Sequence, residues 1–138
     1  FYKSFNCKIY IKSHPYLNIK KNLNLQNYKN IFFLSGNIFQ IASKFNVAVS
    51  SGSTSSITET IAAGCRVCFP FDNFTDAYSL KLIKTPKKYY KVCKNIKELS
   101  DYLINNTNND SLKNKKEIMN FKKNIFNKPN TSNILLIK

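Results

Sequence analysis

The residues best suited to chemistry lie between Val47 and Pro70, in the stretch VAVSSGSTSSITETIAAGCRVCFP. Ser51, Ser53, Thr54, Ser55 and Ser56 surround Gly52, and Glu59 follows. Hydroxyls donate to anionic oxygens, and a glycine lets backbone come close to them. The start of a helix adds unpaired N–H groups and a partial positive charge. Together these make a cradle for a diphosphate. Glu59 is the first acidic residue of the chain, although seven lysines precede it. A carboxylate can accept two hydrogen bonds from a vicinal diol such as that of a ribose. The pattern therefore points to a phosphorylated, sugar-bearing ligand. The same residue types also serve ordinary structure, since Ser and Thr cap helices and fill turns, and Ser56-x-x-Glu59 fits a capping box. The loop is neither a G-K-[ST] phosphate loop nor G-x-G-x-x-G.

Three further residues have chemical use. His14, the single histidine, follows CKIYIKS and precedes Pro15. It suits hydrogen bonding to a phosphate or proton transfer, and equally a structural place on the surface. Asp72 and Asn73 follow Phe69-Pro70 in a loop, where they can bond sugar hydroxyls or simply make a turn. No G-x-S-x-G elbow and no D-x-D metal motif is present, and no metal site is expected. Cys65 and Cys68 have C-x-x-C spacing, but on a strand two residues three apart point to opposite faces. Buried free thiols are expected, and with them a reducing compartment, which implies a cytoplasmic location.

These residues need elements to position them. Strand patterns fall at 7–13, 31–34, 46–50, 65–69 and 89–93, and helix patterns at 37–45, from Ser55 or Ser56 to Gly64, at 76–84, 96–105 and 111–126. In the helix at 96–105, Ile96, Leu99 and Leu103 are expected to face inward. Gly64 reads as a C-cap. Alternation of short strands with helices predicts an α/β fold, a parallel sheet with helices on both faces. Ligands of such sheets bind beyond the carboxyl ends of the strands, where both His14 and the Ser51–Ser56 loop are predicted to lie.

The 138 residues suffice for one core. The net charge of +15 raises a nucleic-acid reading, but of 22 basic residues only Arg66 is arginine. Nucleic-acid readers favour arginine for bidentate contacts. Abundant Asn, Ile, Lys, Phe and Tyr are what AT-rich codons encode. The lysines therefore read chiefly as solvated surface; nucleic acid is not an expected partner, and peripheral contact with an anionic membrane is the alternative kept for them. No apolar run approaches the roughly 18 to 20 residues needed to span a bilayer. The chain opens at Phe1 without a secretory leader and reads as the C-terminal piece of a longer protein.

The run SSGSTSSITE, Gly64 five residues after Glu59, the strand CRVCFPF and then Asp72-Asn73 resemble the donor-binding half of GT-B-fold glycosyltransferases. The similarity is greatest to the group containing the peptidoglycan N-acetylglucosaminyltransferase and the UDP-glycosyltransferases, and spans residues 7–105. The stretch from Gly52 to Glu59 is one residue longer than in the peptidoglycan enzyme, and Arg66 stands where many members carry proline. The resemblance implies a Rossmann-like fold, one half of a GT-B enzyme, over residues 1–106. A C-terminal helix and tail, 107–138, would pack on it or on an absent N-terminal, acceptor-binding domain. It implies a nucleotide-sugar as substrate, with no cofactor. Gly52, Ser53, Thr54, Ser55 and Ser56 would contact the diphosphate, Glu59 the ribose, and the Phe69–Asn73 loop the sugar. The pair His14-Pro15 resembles capsule and teichoic-acid transferases, in which such a histidine helps bind phosphate and would be the candidate catalytic group. The implied role is assembly of surface polysaccharide. A sugar-nucleotide 2-epimerase or polyol-phosphate transferase of the same fold, and a non-enzymatic basic α/β binding module, are the competing readings.

Overall fold

The computed structural model describes residues 8–13, 28–50, 55–70, 85, 87–108 and 116–126. Within them the chain is a mixed α/β protein whose strands pair in parallel. Strand β1 (Ile9–Lys12) lies beside β2 (Ile31–Leu34) with Ile9 opposite Ile31. A second sheet has the order β3 (Val47–Val49), β4 (Arg66–Phe69), β5 (Tyr90–Val92). The strands expected in one sheet thus hydrogen-bond as two, one of two strands and one of three. Side-chain packing bridges them instead: the ring of Tyr10 on β1 sits 5.1 Å from that of Phe45, just before β3.

Among the described residues four α-helices accompany the strands. They are α1 (Ile38–Ala42), α2 (Ser55–Ala62), α3 (Ile96–Thr107) and α4 (Lys116–Phe126). Helix α1 is shorter than the predicted 37–45. Asn37 caps it, its Oδ1 accepting from the amides of Phe39 and Gln40. Beyond Ala42 the chain tightens into three-residue turns, with Lys44 N–H bonded to Ile41 and Phe45 N–H to Ala42. The predicted strand at 89–93 is trimmed in the same way, because Tyr89 belongs to a 3-10 turn, Lys87–Tyr89. The predicted helix at 76–84 lies outside the described residues.

The unit β3-α2-β4 is the framework of the molecule. Its strands are short and mostly apolar; in β4 Val67, Cys68 and Phe69 are buried, whereas Val49 at the end of β3 is exposed. Helix α2 stops where the sequence predicts. Gly64 N–H bonds to the Ile61 carbonyl (2.9 Å) and Cys65 N–H to that of Thr60 (3.2 Å), a Schellman arrangement with Gly64 at φ 87°. A side chain there meets the left-handed region, so Gly64→Ala should cost about 1–2 kcal/mol. Urea denaturation of the variant checks this.

The core lies between α2, β4 and α4. Ile57, Ile61 and Ala62 of α2 meet Val67 and Phe69 of β4, Tyr89, and Ile118 and Phe121 of α4, all buried. Along β4 the alternate residue Cys68 points the other way and lies near Tyr102 of α3. Helix α3 corrects one expectation. Leu99 and Leu103 are half-buried, but Ile96 is 60% exposed. It occupies the first helical position after the N-cap Asn95, and stands clear of the sheet. Asn95 accepts from the Glu98 amide, while Glu98 Oε2 accepts from Lys94 N–H. The chain thus holds a working N-x-x-E cap, at a place other than Ser56. Among the described residues no helix is long and apolar enough to cross a membrane.

Candidate functional site

Helix α2 begins at Ser55, so Ser56 is its second residue and not its N-cap. The carbonyl of Ser56 accepts the Thr60 hydroxyl at 2.7 Å, an interaction of the helix interior. Glu59, fifth in the helix, is past the third position from which a capping carboxylate reaches back. The capping-box role for Ser56 and Glu59 is therefore not what the structure forms, because Ser56 already lies inside the helix.

Glu59 instead lines an open cleft of about 350 Å³ between three helices. Asn37, Phe39 and Gln40 come from α1 and its cap, and Lys122 and Phe126 from α4. The rings of Phe39 and Phe126 meet edge to face at 5.4 Å and form an apolar wall. Lys122 Nζ stands 4.9 Å from the centre of the Phe39 ring. The cleft thus offers one carboxylate, one ammonium, two side-chain amides and aromatic surface. That combination suits a ligand with hydroxyls, a negative charge and a flat or apolar part.

Each wall is held by identifiable chemistry. Helix α1 leaves the carboxyl end of β2 through Ser35 and Gly36, and Gly36 (φ 115°) makes the turn. Helix α4 presents Ile118 and Phe121 to the core and Ile125 beside them, which leaves Lys122 and Phe126, four residues apart, on the flank facing the cleft. At its first turn α4 is pinned by Glu117, which accepts the Tyr89 hydroxyl and pairs with Lys88. Burial, then the hydrogen bond to and the charge of Glu117, push the Tyr89 phenol up to about 12. Burial, then the nearby Cys68, push Tyr102 up to about 12 as well. Both phenols keep their protons in the folded protein at pH values where unfolded tyrosine, near 10, has lost them. Their stabilising contribution is complete below about pH 10 and disappears as pH rises towards about 12. The urea midpoint should fall across that window, and less so in Tyr89→Phe.

Of the residues singled out from sequence, Ser55, Ser56 and Glu59 fall in α2. His14, Gly52, Ser53, Thr54, Asp72 and Asn73 lie outside the described residues. The cleft adds Asn37, Phe39, Gln40, Lys122 and Phe126, which sequence reading did not single out. An N-x-x-Q start to α1 and the Lys122/Phe126 spacing were the available signals, but only the packing of α4 beside α2 brings them to Glu59. No family model, curated protein or solved structure matches the chain.

Proposed function

We propose that this chain is the donor-binding domain of a GT-B-fold glycosyltransferase of surface polysaccharide or glycoconjugate assembly. In this reading the two parallel sheets belong to one Rossmann-like half, and the acceptor-binding half is a separate N-terminal domain. The observation that carries the reading is the placement of Glu59. It lies on the helix that follows β3, past the capping position, and lines an open cleft. A carboxylate there suits a ribose diol. The diphosphate would lie towards the start of α2, met by Gly52, Ser53, Thr54, Ser55 and Ser56, and the sugar towards Asp72 and Asn73. Lys122 adds a positive charge that the family resemblance did not supply, suited to the same anionic ligand. His14 is the candidate group for phosphate or proton handling. The domain binds its donor without a cofactor, and by itself transfers little or none of it.

Thermal unfolding in the presence of nucleotide tests the reading. A ligand that binds only the folded state stabilises it by mass action, by about 2.7 kcal/mol at a concentration 100 times its Kd. UDP or CDP should raise Tm saturably. An unchanged Tm at millimolar UDP, CDP and other nucleoside diphosphates would sink the proposal and favour a basic docking module. Incubation with UDP-N-acetylglucosamine alone separates the epimerase alternative, which would yield a 2-epimer without acceptor.

A further inference from the structure

Cys68 and Cys93 lie on neighbouring strands with their Sγ atoms 3.0 Å apart. Cys93 directly follows β5, and its N–H extends the ladder to the Phe69 carbonyl at 2.8 Å. Both residues are fully buried and neither is in a disulfide. A covalent S–S bond is about 2.05 Å long, so side-chain rotation of roughly 1 Å closes the gap while the strand pairing holds the backbone. Cys65, the other described cysteine of the C-x-x-C pair, sits apart in a cluster with Ala42 and Ala63.

Among the described residues, the helix that covers the pair is lightly anchored. Cys68 faces α3, and that helix has no fully buried residue. Ile96 and Ile104 of α3 are mostly exposed, and the buried hydroxyl of Tyr102 has no hydrogen-bond partner. A layer anchored so lightly is the kind that opens locally while the rest of a fold persists. Closed, the site is dry, and burial pushes the Cys68 thiol up, which keeps it protonated and unreactive. Open, the thiol returns towards its ordinary acidity and can attack.

We propose that Cys68 and Cys93 are a modification site, closing to an intrachain disulfide by exchange with a low-molecular-weight disulfide. One cysteine, as thiolate, attacks a sulfur of the small disulfide, forming a mixed disulfide and expelling one small thiolate. The second cysteine, as thiolate, attacks the protein sulfur of that mixed disulfide, expelling the other small thiolate. The two expelled thiolates take up the two protons the cysteines gave up. The protein loses two electrons and two protons, and the small disulfide is reduced to two thiols. The product ties the carboxyl ends of β4 and β5 across the ladder. This inference stands independently of the proposed ligand.

The test is oxidised glutathione added to the folded chain without denaturant, followed by acid quenching and mass spectrometry of the intact protein and its peptides. The expected result is loss of the mass of two hydrogen atoms, a single peptide pair joining Cys68 to Cys93, full reversal by dithiothreitol, and the same product from Cys65→Ser. Any one of three results would overturn the proposal. These are both thiols unmodified, glutathione retained on either cysteine, or a crosslink that appears only after denaturation. Because the assignment is read on the wild-type chain, it does not depend on whether Cys68→Ser or Cys93→Ser folds.

Discussion

Glu59→Ala should abolish the nucleotide-induced rise in Tm while leaving the free protein almost as stable as before. At a nucleotide concentration 100 times Kd the wild type should gain about 2.7 kcal/mol. For a chain of this size that is a Tm shift of roughly 5–10 °C. Glu59 is half-buried at a cleft and does not serve the helix cap, so its removal falls among surface substitutions that cost within about 0.5 kcal/mol. The two readouts should therefore separate. Loss of the shift with intact basal Tm supports a ligand carboxylate. Retention of the full shift would leave Glu59 outside the site, and a large fall in basal Tm would make it a structural residue. Glu59→Gln sharpens the result. It keeps shape and one carbonyl acceptor but removes the charge and replaces the other acceptor with a donor, so a diol should be held more weakly and not lost altogether.

How far the sequence anticipates this molecule depends on which interactions decide each feature. The unit β3-α2-β4 is legible because local rules agree: short, mostly apolar runs for parallel strands, and a glycine where a left-handed residue closes a helix. Both Ser56-x-x-Glu59 and Asn95-x-x-Glu98 satisfy the spacing of a cap. Only the second is used, because Asn95 directly precedes the first helical residue while Ser56 is already inside α2. The helix starts within the predicted Ser55 or Ser56, yet that leaves Ser56 inside α2 and Glu59 past the capping position, a distinction of one or two residues that lies below the reach of pattern reading. Ile96 fits an inward helical stripe by periodicity yet is exposed, at the first helical position after the cap Asn95. The pairing of Cys68 with Cys93 follows from the register of β4 against β5, a tertiary fact with no sequence signature. Likewise Lys122 and Phe126 read as the flank of a polar helix until the helix is placed beside α2.

Ile61→Ala should be the most damaging single truncation of those considered. Ile61 is fully buried, and sits where α2 contacts both β4 and α4. Removing its outer carbons takes away their burial and leaves a cavity that Ile57, Val67, Phe69, Ile118 and Phe121 must fill by moving. Such changes cost about 2–5 kcal/mol, against a total stability of about 5–15 kcal/mol for a domain. The same contact docks α4, which carries Lys122 and Phe126 to the cleft, so the loss should reach the site as well as the core. The companion is Ile96→Ala, the same chemical change at a residue 60% exposed, which should cost about 0.5 kcal/mol or less. Urea denaturation of the two variants side by side makes the comparison. Equal costs would mean that the core is not centred on α2, β4 and α4. A gap of about 2 kcal/mol or more in the expected direction would place it there, and with it the helix that completes the cleft opposite Glu59.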